Sequence, residues 1–261
     1  MAFDGIVTKC IAGELKNNLI GCKVNKIFEP TSHDIILNLY GNGNNFDLAI
    51  CTNSNFSRIH LTQYSKPNPF SAPNFCMFLR KHLVGSRIID IKTFDLERVL
   101  CFCFEGYNEL NDKVYKNLYV EIMGQFSNVV LVNENGTILD CLNHVSTKTR
   151  ELLPVRPYEL PTSTKHSFIN LTNFEEFYNL FTSNYSSSVD KTFSDLFIGI
   201  SRRFVQGLCT GLNIPLDVVS KENLEKIYLK IKKVIDNIEN LTIQCITILD
   251  RKRFLCRYFW F

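Results

Sequence analysis

Leu118–Val132 reads LYVEIMGQFSNVVLV, and its interpretation decides the fold. Leu118, Val120 and Ile122 alternate with Tyr119, Glu121 and Met123, the period-two signature of a strand. Gly124 and a polar Gln-Phe-Ser-Asn step follow, and then the apolar run Val129–Val132 starts a second strand. Two strands joined this closely make a hairpin, so the segment belongs to an antiparallel sheet. An acid and a thioether at the end of the first strand are not turn formers, which marks Glu121–Gly124 as a candidate functional element.

Working outward, the same alternation recurs in RIIDIKTF from Arg87, RVLCFCFE from Arg98 and TILDCL from Thr137. Asn-Glu-Asn-Gly at 133–136 turns the last pair. An earlier meander is predicted from KVNKIFE, DIILNLY, FDLAICT and SRIHLT between Lys23 and Thr62, with a hairpin signal in Gly-Asn-Gly-Asn at 41–44. Asp4 caps a helix with Ile6, Val7, Cys10, Ile11 and Leu15 at helical period, ended by Gly21. After Pro67, Pro69 and Pro73, NFCMFLRKHLVG predicts a second helix ending at Gly85, with Phe75, Phe78, Leu79 and Leu83 as its buried stripe.

Ser146–Pro161 carries three prolines and no period, so it reads as a connector, and the domain boundary is placed there. The remainder turns helical. Thr172 with Glu175 forms a capping box, and Asp190–Phe197 and Ser201–Leu208 are helical pieces. Ser220 opens a long helix with Leu224, Ile227, Tyr228, Ile231, Val234, Ile235 and Ile238 on one stripe. A final strand pair turning at Asp250–Arg253 ends on Trp260 and Phe261, an apolar ending that reads as a fragment or an early stop.

The 261 residues are 45% hydrophobic and 12% aromatic, enough to bury a core, which excludes global disorder. A net charge of +3 permits a polyanionic partner, provided that its site is local. Ten cysteines without any C-x-x-C pair argue against both a zinc site and a disulfide framework. Cys101 and Cys103 fall two apart in a strand and pack as small hydrophobes. The amino terminus has no cationic opening followed by an apolar block, and no window has the roughly 20 apolar residues of a membrane helix. Together these features point to the cytosol, with neither a metal nor a cofactor and no membrane partner.

FDG near the start, NFCMFLRKHLVG, VEIMGQFSNVVLV, ILDCLNHVS and RELLPVRPYELP, in this order, carry a resemblance. They resemble the NFACT-N domain of bacterial RqcH, also called fibronectin-binding protein A or FbpA, whose eukaryotic relative is NEMF. The match runs almost continuously over residues 1–160 and more loosely to about residue 240. It implies an α+β fold similar to formamidopyrimidine-type glycosylases: a β-sandwich with two helices over 1–160, then a helix-two-turn-helix region over 161–240. Residues 241–261 would be a terminal strand pair before a coiled coil absent here. The implied role is ribosome-associated quality control. There the domain binds tRNA, chiefly alanyl-tRNA, and the large ribosomal subunit obstructed by a peptidyl-tRNA, and it supports untemplated tailing of the stalled chain.

Carried onto these residues, the resemblance assigns tRNA contact to Glu97 and Arg98 and to Glu121, Ile122, Met123 and Gly124. Glu97 stands where the family commonly has Asp, and Gln125-Phe126 where it commonly has a basic residue and His. Unpaired bases stack on planar or soft groups and hydrogen-bond at their edges, which suits an arginine fork, a thioether and an acid acceptor. Arg80, Lys81 and Arg87, and Arg202 and Arg203 in the helix-two-turn-helix segment, are further candidates for RNA-backbone contact; consecutive charges on a helix are equally read as a solvated face.

Three other functions compete. Base excision needs an amino-terminal Pro-Glu pair and a zinc finger, and this chain has Ala2 and Phe3 and no such finger. A non-enzymatic module with no DNA partner is therefore expected. A fibronectin- or fibrinogen-binding surface adhesin finds no support in unpaired cysteines. A generic rRNA-docking domain is the third.

Overall fold

Two antiparallel meanders form one nine-stranded sheet in the order β4-β3-β2-β1-β5-β6-β7-β8-β9. The computed structural model describes residues 3–217 and 219–240, and the backbone of the strands Cys245–Leu249 and Leu255–Phe259. The first meander holds β1 (Lys23–Thr31), β2 (Asp34–Gly41), β3 (Asn44–Cys51) and β4 (Arg58–Thr62). The second holds β5 (Arg87–Thr93), β6 (Val99–Tyr107), β7 (Lys113–Glu121), β8 (Asn128–Asn133) and β9 (Ile138–Cys141). They meet at one paired position, Lys23 with Arg87.

By contacts the chain groups into two units. A sheet unit comprises Glu14–Phe94 and Arg98–Pro161; a helical unit takes residues up to Gly13, Asp95–Glu97 and Thr162 onward. This is a mixed α+β architecture with a large antiparallel sheet.

In the sheet unit, α2 (Asn74–Leu83) follows the proline loop as expected and buries Phe75, Cys76, Leu79 and Leu83. Cys76 takes the buried place expected for Phe78, whose half-buried ring lies 4.4 Å from that of His82. Cys101 and Cys103 are buried in β6, as their spacing predicts. The supposed connector is more structured than its sequence suggests. It carries β10 (Val145–Ser146) paired with β11 (Glu151–Leu152), and Leu152 joins a small core with Val130, Val132, Ile138 and Cys141. Residues Val129–Val132 are consequently buried on alternating sides throughout, a fully apolar run rather than an alternating one.

Helix α1 (Gly5–Leu19) contributes to both units. In the helical unit the FDG stretch has a structural meaning. Asp4 Oδ1 accepts the Val7 amide at 3.0 Å, and Oδ2 accepts the hydroxyl of Ser201. A Cβ on Gly5 would sit 1.8 Å from the Leu96 carbonyl oxygen, so no larger residue fits there. Helices α3 (Phe174–Ser183), α4 (Val189–Leu196), α5 (Arg202–Leu212) and α6 (Lys221–Glu239) complete this unit. The cap of α3 lies one residue later than predicted. Asn173 accepts the Glu176 amide, while Glu176 reaches back to the Thr172 amide and hydroxyl. Ser220 caps α6, and all seven predicted stripe residues are buried. The backbone of β12 (Cys245–Leu249) and β13 (Leu255–Phe259) forms the expected terminal pair. The predicted turn at Asp250–Arg253, the Trp260-Phe261 ending and Ala2 lie outside the described residues.

Candidate nucleic-acid interface

The ends of β6 and β7 adjoin, because nine residue pairs zip these strands from Tyr107–Lys113 to Val99–Glu121. One step further, the Arg98 carbonyl accepts the Ile122 amide at 2.8 Å. The register therefore sets Arg98 opposite Ile122, with Met123 and Gly124 next along the chain. Glu97, the residue before Arg98, is half-buried and groups with Asp95 and Leu96 in the helical unit.

Glu121 corrects the sequence reading. Its side chain is fully buried, and Arg150 grips it with NH1 to Oε2 at 2.8 Å and NH2 to Oε1 at 2.6 Å. The Tyr158 hydroxyl donates to Oε1 at 2.8 Å. A carboxylate whose oxygens are taken by a bidentate guanidinium and a phenol cannot accept from a base. Glu121 is an anchor that fixes the end of β7 from beneath. Burial, and then the Glu121 charge, push the Tyr158 phenol upward, so it stays a donor. Desolvation alone would lower the Arg150 guanidinium, but its bonds to Glu121 outweigh this and raise it. Tyr119 stands on the same face of β7 as Glu121, and its ring stacks on Tyr158 at 3.9 Å between centroids. Ile122 is also corrected: at 1% exposure its side chain belongs to the core and cannot reach a ligand.

Past the buried Ile122, the residues of the strand end with solvent exposure are Arg98, Met123, Gln125 and Phe126. Arg98 and Met123 are half-buried, while Gln125 and Phe126 are exposed. A single helical turn, Gly124–Phe126, shapes this stretch, closed by the Met123 amide on Ser127 Oγ at 2.9 Å. Gly124 sits at φ 61°, a left-handed conformation that other residues adopt with strain.

The remaining predicted cations divide. Arg80 is occupied as a clip, with Nε on the Ile27 carbonyl at 2.8 Å and its guanidinium over the Phe28 ring. Arg87 donates to the Gly21 carbonyl, and Arg202 pairs with buried Asp190 at 3.2 Å. Lys81 and Arg203 are exposed, the latter in the helical unit.

Sequence reasoning missed Arg150 and Tyr158, although both lie in the quoted RELLPVRPYELP stretch. A buried acid needs partners, and that requirement was the available signal. Among the described residues one cluster has metal-ligating side chains, Asp140, Cys141 and His144. Here the Cys141 thiol donates to the Leu152 carbonyl at 3.2 Å, and burial followed by the Asp140 and Glu121 charges pushes it up to about 12. No helix among the described residues is long and apolar enough to cross a membrane.

The model of the NFACT N-terminal and middle domains matches residues 4–259. The chain belongs to this family. Among its curated relatives is the Rqc2 homolog RqcH of Bacillus subtilis, 33% identical over 225 residues that cover 82% of this chain and 39% of that protein. The human ribosome quality control complex subunit NEMF is 26% identical over 140 residues, covering 54% of this chain and 12% of that one. Among solved structures, the fibrinogen binding protein from Staphylococcus aureus aligns with a TM-score of 0.83 at 26% identity, covering 99% of this chain and 90% of that one. This NFACT chain thus spans about two-fifths of the RqcH relative it matches, and its homologues are ribosome quality control factors.

Proposed function

We infer that this NFACT module binds tRNA through the outward surface of the β6–β7 strand end, within a cytoplasmic factor acting on obstructed large ribosomal subunits. The observation that supports this reading is the Arg98–Ile122 backbone bond, which sets Arg98 at the strand end that leads into the Met123–Phe126 turn. Arg98 supplies a planar cation for phosphate or a base face, and Met123 a polarisable contact. Glu121, Arg150 and Tyr158 hold the turn in place beneath it. On this reading the module is a binder rather than a catalyst, with a glycosylase-like fold. Alanyl-tRNA is the species to be expected, and peptide-bond formation during tailing belongs to the ribosome. The adhesin reading draws on the name of the Staphylococcus aureus neighbour, whereas the curated relatives are ribosome factors.

A filter-binding titration with tRNA tests the assignment. Arg98→Ala should weaken binding about tenfold, as expected for losing a charge-assisted contact, with an unchanged melting temperature. Affinity should also fall steeply with salt, since phosphates contribute counterion release. Equal affinity of the variant and the parent would remove this site.

A further inference from the structure

Two phenylalanines stand out of the sheet unit on turns that touch. Phe126 is 70% exposed at the end of the Gly124–Phe126 turn, and Phe56 is 67% exposed on the turn between β3 and β4. A Cβ on Gly124 would lie 3.6 Å from the Ser54 carbonyl oxygen, so the two turns abut. Both are rigid. The Phe56 amide donates to the Asn53 carbonyl at 3.0 Å, and the Arg58 guanidinium reaches back to the Phe56 carbonyl at 2.8 Å. The Phe126 amide bonds the Met123 carbonyl, and the Ser127 amide that of Gly124. Among the described residues neither ring stacks on another aromatic.

Leaving a phenylalanine in water forgoes the roughly 1.5–3 kcal/mol that burying it would contribute. The chain neighbours of these rings are polar: Ser54, Asn55 and Gln125 are exposed, and Asn53 and Arg58 are half-buried. Flat rings set among amides and guanidinium groups match nucleobases, which offer a π-face and a polar edge and hang from a phosphate chain. Rings held on closed turns stack with little ordering cost.

We propose that Phe56 and Phe126 form a stacking platform for unpaired bases of a single-stranded RNA loop, with the Arg58 guanidinium beside it. This rests on the tRNA-binding reading above and specifies it: the site takes loops in preference to duplex, and takes them by base stacking.

The test uses the chain with an anticodon stem-loop RNA carrying 2-aminopurine in its loop, and a duplex of the same stem. The parent should bind the stem-loop more tightly than the duplex and quench 2-aminopurine. Phe126→Ala and Phe56→Ala should each weaken stem-loop binding about tenfold, the scale of one lost stacking contact. Phe126→Leu should behave like alanine and Phe126→Trp like the parent, which separates a ring from mere bulk. If Arg98→Ala weakens binding while the phenylalanine variants bind and quench like the parent, the platform is overturned and the tRNA site stands. If the parent binds neither RNA, the tRNA reading falls and the platform with it.

Discussion

The helical unit and the strand end of the sheet unit are held together by different physics. In the helical unit five phenylalanines, Phe168, Phe177, Phe181, Phe193 and Phe197, are fully buried and meet ring against ring. Phe177 alone touches Phe168, Phe181, Phe193, Phe197 and Tyr228. At the strand end the fixing elements are polar: one buried carboxylate, a guanidinium and a phenol, backed by the ring stack Phe94–Tyr119–Tyr158. An aromatic core tolerates adjustment because its contacts are non-directional. A bidentate ion pair sets position and angle, which suits a turn that must present Met123 and Phe126 in one geometry.

Removing a keystone from each region breaks the comparison most sharply. Phe177→Ala should cost about 4 kcal/mol through lost burial and the cavity left behind, read as a shift in the urea midpoint. Arg150→Ala should cost about 3 kcal/mol by stranding the Glu121 charge, at the lower end of the usual range because Arg150 keeps some solvent contact. The double replacement Glu121→Leu with Arg150→Met should regain most of that stability, because an apolar pair of similar size avoids the desolvation cost. It should still impair tRNA binding, since the turn above loses its directional support. No comparable rescue exists for Phe177, whose loss is one of volume.

A smaller effect separates the regions by pH. Burial would raise the Asp190 carboxyl, but hydrogen bonds from Ser188, Gln206 and Arg202 outweigh it and hold the group below the usual carboxylate range. Because the folded value is depressed, the associated stability is fully present above the unfolded value of about 3.9 and is lost as pH falls through the folded value. Melting temperatures should therefore drop across that acid window, and Asp190→Asn should flatten the drop.

The two regions also differ in how far the sequence reveals them. The stripe of α6 was legible residue by residue because an apolar face repeats at 3.6 residues. So were the strands around Leu118–Val132, whose period of two survives in the burial of Leu118, Val120 and Ile122. The role of Glu121 was not. Arg150 and Tyr158 lie 29 and 37 residues away in sequence, in a proline-containing segment without period. Periodicity records which face is buried, not which polar group a distant loop brings to it. The acid therefore read as a ligand contact when it is the anchor of the β7 end. Similarly, Arg80 and Arg202 read as free cations, while hydrogen bonds to the Ile27 carbonyl and to Asp190 occupy them. The exposure of Phe126 came from the turn geometry that follows Gly124, which the bare hairpin pattern leaves open.

Photocrosslinking from position 125, next to Phe126 and in solvent, puts the account to its most direct trial. With tRNA bound, a photoreactive side chain there should attach to nucleotides of an unpaired loop, and Arg98→Ala should abolish the product. Crosslinks confined to paired stems, or a yield indifferent to Arg98, would contradict a strand end that grips single-stranded RNA.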